Sequence, residues 1–151
     1  IYTLSLHDAL PILVIRLAEA YLNYAEALNE ARGPVAEAYE AVRMVRARSG
    51  MPGFPAGLSK EEFREKLRNE RAVELFFEEH RLWDIMRWKI AENEGVMQGN
   101  MRGIKIYKDS DTKFSWKPCI IEERYWKSCM YHIPFPQSEV DKGYIKQNPG
   151  W

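Results

Sequence analysis

Between residues 14 and 31 the polar residues Arg16, Glu19, Asn23, Glu26 and Glu30 recur at intervals of three and four, and most positions between them are apolar or small. That spacing predicts an α-helix carrying one narrow polar stripe. Leu17, Tyr21, Tyr24 and Leu28 line one flank and Val14, Ala18, Leu22 and Ala25 the other, so the helix needs neighbours on more than one side. Gly33 stops it, and Pro34 suits the first turn of a second helix over 35–48. There Val35, Ala38, Val42 and Val45 turn inward, while Arg43, Arg46 and Arg48 gather at the C-terminal end, where the helix dipole favours cations.

The two helices make one hairpin with the length and small-residue pattern of a tetratricopeptide unit. Such repeats generally need about three copies to bury a continuous core. One copy therefore predicts a truncated chain. Residues 51–58 (MPGFPAGL) form a proline- and glycine-rich connector. Ser59 followed by Glu62 is a capping-box signature for a long third helix over 61–93, with a bend expected near residues 79 and 80. After Gly95 the texture changes, and 103–108, 114–121 and 124–133 read as strands or extended loops, the first two parted by Asp109, Ser110 and Asp111. The tail, with Pro134, Pro136 and Pro149, is expected to be an ordered, largely irregular wrap. The fold class is mainly α: a helical hairpin and a long helix, then irregular and short β segments.

Composition supports a packed domain: 46% of the 151 residues are hydrophobic and 13% aromatic, which argues against disorder. Twenty-two basic residues balance 22 acidic ones, so the chain lacks the basic footprint of a nucleic-acid or anionic-membrane binder. No apolar run approaches the length of a membrane span, and the start lacks the pattern of a signal peptide. Two cysteines, Cys119 and Cys129, are too few for a disulfide framework or a four-cysteine zinc site; in an exported chain they could bridge a hairpin, and free, half-buried thiols are the plainer reading.

The first twelve residues, IYTLSLHDALPI, back-translate into codons resembling a widely used short-read sequencing adapter, and Leu13 fits the junction. Residues 1–12 are therefore read as a non-native scar, with no chemical role for His7 or Asp8, and 13–151 as the native region.

Several constellations carry possible chemistry. Glu70, Glu74, Glu78 and Arg81 step along one face of the third helix, with Arg71, Asp84 and Arg87 nearby. Glu70 and Glu74, one turn apart, match in principle the paired carboxylates of a retaining glycosidase. A structural girdle of ion pairs facing the arginine-rich end of the second helix is the plainer expectation. His80 and His132 stand outside any metal-binding spacing, and phosphate-loop, nucleophile-elbow and Cys-x-x-Cys motifs do not occur. No cofactor, metal or catalytic residue is expected. The later aromatics Tyr107, Phe114, Trp116, Tyr125, Trp126 and Tyr131 are suited to stacking on sugar faces. Trp116, Trp126 and Tyr125 are the candidate ligand contacts, because neighbouring Lys117 and Lys127 imply exposure.

Four segments, RLAEAYLNYAEAL (16–28), RNERAVELFFEEHRLWDIMRW (68–88), YHIPFPQSEV (131–140) and QNPGW (147–151), resemble in order and spacing the C-terminal region of SusD/RagB-type proteins. Two departures stand out: Glu79 replaces the family's glycine, leaving the sharp break there in question, and Pro134–Phe135–Pro136 replaces Pro-Ile-Pro. The resemblance implies a helical, tetratricopeptide-containing lipoprotein on the outer face of a Gram-negative outer membrane. It further implies binding of oligosaccharides or other nutrients and a partnership with a TonB-dependent SusC-like barrel. The lipid anchor and most of the ligand cradle are implied to lie upstream. No ligand residue is carried over through these motifs, which look like scaffold. The rival readings are a helical-repeat scaffold that binds protein and, third, a hydrolase using Glu70 and Glu74.

Overall fold

The computed structural model describes residues 15–151, so the readings placed on 1–14 lie outside the described residues. It divides into two compact units, the first ending at Arg81 and the second taking in Leu82–Trp151. Among the described residues no helix is long and apolar enough to cross a membrane.

In the first unit, α1 (Leu17–Arg32) and α2 (Ala36–Ala47) form the expected hairpin, reversed at Gly33, which takes φ 84°. The third helix, α3 (Lys60–Glu74), opens on a complete capping box in which Ser59 Oγ accepts from Glu62 N–H and Glu62 accepts from Ser59 N–H. A cap of this kind stabilises a helix by about 1 kcal/mol. Leu22 and Ala25, Ala38, Val42 and Val45, and Phe63 and Leu67 meet in one core. Tyr39 and Phe54 set their edges against Phe63 at 5.1 and 5.4 Å. The connector is pinned too: Leu58 N–H donates to Tyr39 Oη (3.1 Å), and Arg46 Nε donates to the Pro52 carbonyl (2.6 Å).

The long third helix expected over 61–93 is two helices. It breaks at Leu75 and resumes as α4 (His80–Arg87). Leu75, Phe76 and Phe77 are three consecutive bulky apolar residues, which no single helix face can bury together. Leu75 goes into the core, whereas Phe76 and Phe77 are exposed, Phe77 at 91%. Phe77 and Glu79 take φ 65° and 62°. Glu79 thus adopts the left-handed conformation for which glycine is best suited, and the break persists without the glycine. The far end of α4 also stops earlier than expected. Lys89 takes φ 55° and donates to Met86 O (3.2 Å), while Ile90 donates to Ile85 O (3.2 Å), the paired bonds of a Schellman cap.

In the second unit, β1 (Gly99–Lys108) and β2 (Phe114–Arg124) form a two-stranded antiparallel ribbon, with a bulge at Met101/Arg102 and a turn over 109–113. Gly103 lies beside that bulge, where a Cβ would come within 2.0 Å of Ile121 Cδ1 and the isoleucine side chain would have to turn aside. Over 124–133, expected as a strand or an extended loop, the chain leaves β2 at Arg124 and forms a 3-10 turn at Ser128–Tyr131. Tyr131 Oη accepts from Ala91 N–H (3.0 Å), and Lys89 Nζ lies 4.3 Å from its ring centre.

The tail is irregular apart from the single turn α5 (Gln137–Val140) and is held by side chains. Prolines 134 and 136 have no N–H to give, so no ladder can form along this stretch. Gln147 substitutes for a strand: its amide accepts from Phe135 N–H and donates to Phe135 O, both at 2.9 Å. Asn148 Nδ2 donates to Ile133 O (2.7 Å), and Trp151 Nε1 is shared between Cys129 O (2.9 Å) and His132 O (2.8 Å). The YHIPFP and QNPGW segments are therefore two halves of one clasp. Gly150 closes it at φ 88°, where a Cβ would come within 2.8 Å of Cys129 Cβ.

Candidate functional site

The densest polar cluster lies in the first unit, where three helices meet. Arg16, just before α1, spans two turns of the neighbouring chain: its Nη1 reaches Glu74 (2.7 Å) and its Nε reaches Glu78 (2.7 Å). It also donates to the Glu74 carbonyl, capping the C-terminal end of α3 with a cation. These contacts, first the Glu78 hydrogen bond, raise the Arg16 guanidinium above its ordinary pKa. From the end of α2, Arg46 pairs with Glu70 and Arg48 with Glu74 (2.9 Å). Arg43 turns away to Glu40 on its own helix (2.6 Å).

Farther along α3, Arg71 is buried and donates to Asn23 Oδ1 (2.6 Å), with Glu26 at 3.8 Å. Arg64 takes Glu30 at 2.6 Å and is the chief cause holding the Glu30 carboxyl below its ordinary pKa. Glu19 faces His80 at 3.7 Å, an ion pair only when the imidazole is protonated. Arg16, Glu19, Asn23, Glu26 and Glu30 are the polar stripe of the first helix. The stripe is thus a charged seam against α3 and its exit, while apolar Leu17 and Tyr24 are exposed on the outside. The seam was missed because a polar stripe is ordinarily the wet face. The signal for it was present, since two complementary stripes of opposite charge repeat at the same helical interval.

Of the remaining girdle candidates, Asp84 and Arg87 pair with each other along α4 (2.8 Å), and Arg81 makes no ion pair among the described residues. Glu70 and Glu74 both accept from arginines, and Glu74 from two of them. A carboxylate clamped in this way is poorly placed to attack a sugar or carry a proton.

The candidate ligand aromatics have different surroundings. Trp116 projects from β2 and Tyr125 follows it, both largely exposed, with Lys127 Nζ 5.9 Å from the Tyr125 ring centre. Trp126 is half-buried and sets its ring against Tyr131 at 5.5 Å. An open groove of about 490 Å³ lies along α1 and α2, lined by Tyr21, Tyr24, Glu37, Glu40 and Met44 among others. Cys119 and Cys129 are free and half-buried, and no group of three metal-ligating side chains occurs among the described residues.

Comparison with known proteins gives a consistent result. A sequence model of the SusD family matches residues 6–151, beginning inside the twelve-residue stretch set apart above. A SusD-like protein of Formosa agariphila is 41% identical over 81 residues, 52% of this chain and 15% of that protein. The structure superposes on a SusD-like protein from Bacteroides fragilis with a TM-score of 0.79 and 37% identity, over 91% of this chain and 25% of that one. A SusD homologue from Bacteroides thetaiotaomicron gives 0.64 and 31%, over 91% and 26%. The matches thus take in only 15–26% of the length of these relatives.

Proposed function

The chain belongs to the SusD family, and from that membership we propose that it is the C-terminal scaffold of a longer nutrient-capture protein on the outer face of an outer membrane. The whole protein binds an oligosaccharide or other nutrient without cleaving it and passes it to a TonB-dependent SusC-like barrel. A lipid anchor upstream of this segment attaches it to the membrane. Residues 13–151 form the native part of the chain.

The observation that carries the scaffold reading is the charged seam. Glu70, Glu74 and Glu78 each serve an arginine that joins α3 or its exit to another part of the first unit, so these three carboxylates of the longest family motif are spent on holding the unit together. This disfavours the hydrolase. Within the segment, Tyr125 and Trp116 keep exposed rings, whereas Trp126 is turned against Tyr131. The groove along α1 and α2 supports a second reading, in which the helical hairpin holds a protein partner.

Affinity electrophoresis of the full-length protein across a glycan panel, paired with a reducing-sugar assay, tests the reading. Retardation without sugar release is the expected result. Release identifies a hydrolase, and neither effect on any glycan favours the protein-binding scaffold.

A further inference from the structure

The β1–β2 ribbon has two faces of opposite character. Cross-strand partners share a face, so the pairs Ile104/Pro118, Ile106/Trp116, Lys108/Phe114 and Arg102/Ile120 lie on one side. Lys105/Lys117, Tyr107/Ser115 and Gly103/Cys119 lie on the other. The first side presents Ile104, Ile106, Phe114, Trp116 and Ile120 as a continuous apolar surface, each at least 59% exposed. Six apolar side chains, Pro118 included, face one way with nothing over them.

We infer that this face packs against another part of the same polypeptide, upstream of the segment described, and that the Lys105/Tyr107/Lys117 face remains in solvent. The inference rests on the reading that the segment is part of a longer chain. An isolated two-stranded ribbon is at best marginally stable in water, so the ribbon needs a cover whenever it is folded. A cover carried on the same chain meets that need at high effective concentration, independent of any partner. Sugar is a poor occupant, because between its two ends the patch offers a single hydrogen-bonding group, the Trp116 indole N–H, and Lys108 at one end is engaged by Asp111 (2.7 Å). So apolar a centre is instead the composition of a permanent interface. The chain outside the segment is long enough to supply it, since the solved relatives align with 91% of this chain using only 25% and 26% of theirs. Trp116, a candidate ligand contact by sequence, is on this reading an interior residue.

The test compares the two faces by maleimide labelling in the full-length protein, with Cys119→Ser and Cys129→Ser as background. Ile106→Cys is expected to label about 100-fold more slowly than Lys105→Cys, the protection of a packed interior. In the 151-residue chain the two are expected to label equally fast. Hydrogen exchange of the ribbon amides in both unsubstituted forms provides a check free of engineered cysteines, with protection expected only in the full-length protein. Equal labelling of the two faces in the full-length protein, together with unprotected ribbon amides there, would overturn the inference. So would protection that appears only when a purified barrel or a glycan is added. Glycan retardation of the same sample is read separately, so the docking inference and the capture reading can fail independently.

Discussion

Glu79 shows what a single residue can be made to do by its surroundings. An L-residue in the left-handed region costs about 1–2 kcal/mol, and Glu79 accepts that cost at φ 62° in the break between α3 and α4. The helix must break there because Leu75 is drawn into the core while Arg16 holds both Glu74 and Glu78. Replacing Glu79 by glycine, which adopts this conformation freely, removes the strain without touching a buried contact. Glu79→Gly is expected to stabilise the protein by about 1 kcal/mol in urea unfolding, the gain reduced by the greater freedom of glycine in the unfolded chain. An unchanged or lower midpoint would show that the turn is relaxed with glutamate.

At the scale of elements, the helices of the first unit are joined by two kinds of surface. Apolar residues of α1, α2 and α3 meet in the core around Phe63, and the charged seam closes beside it. Glu74 is central to that seam, with its side chain 11% exposed and arginines from two directions on its carboxylate. Its loss leaves Arg16 with Glu78 alone and returns the largely exposed Arg48 to water. Glu74→Ala is therefore expected to cost about 1–2 kcal/mol, measured as a loss in unfolding free energy. Glu40→Ala, which breaks only the fully exposed pair with Arg43, is expected to leave the midpoint unchanged. Equal effects of the two substitutions would mean that the seam contributes no more than a surface ion pair. Helix existence was largely legible in advance: the hairpin and the Ser59 cap follow from periodicity and side-chain chemistry. The break at Leu75 and the stop at Lys89 were less so, because each depends on a residue other than glycine taking a left-handed conformation that its type disfavours.

For the whole molecule, burial is distributed unevenly. Nine of the buried hydrophobic residues form the core of the first unit, whereas the second unit adds only Ile85 and Ala91. Local stability follows buried apolar contact. Hydrogen exchange on the 151-residue chain is expected to show strong protection in α1–α3 and protection near that of a fraying terminus over the ribbon. Uniform protection across both units would show that the ribbon draws its stability from elsewhere. The tail clasp is the exception to this sparse packing, since it relies on amide and indole hydrogen bonds that a proline-rich backbone leaves open.

Periodicity, capping chemistry and four ordered motifs by themselves determined the helical hairpin, the start of α3 and the family, because these are local or additive properties of the residues. The seam partners, the helix break, the extra-long ribbon strands and the union of YHIPFP with QNPGW were decided only in three dimensions. Each depends on residues distant in sequence competing for the same space or the same hydrogen bond: Arg16 with Glu78, Gly103 with Ile121, Gln147 with Phe135. A local pattern records which face of an element is polar, but whether that face meets water or an opposite charge is settled by what packs against it.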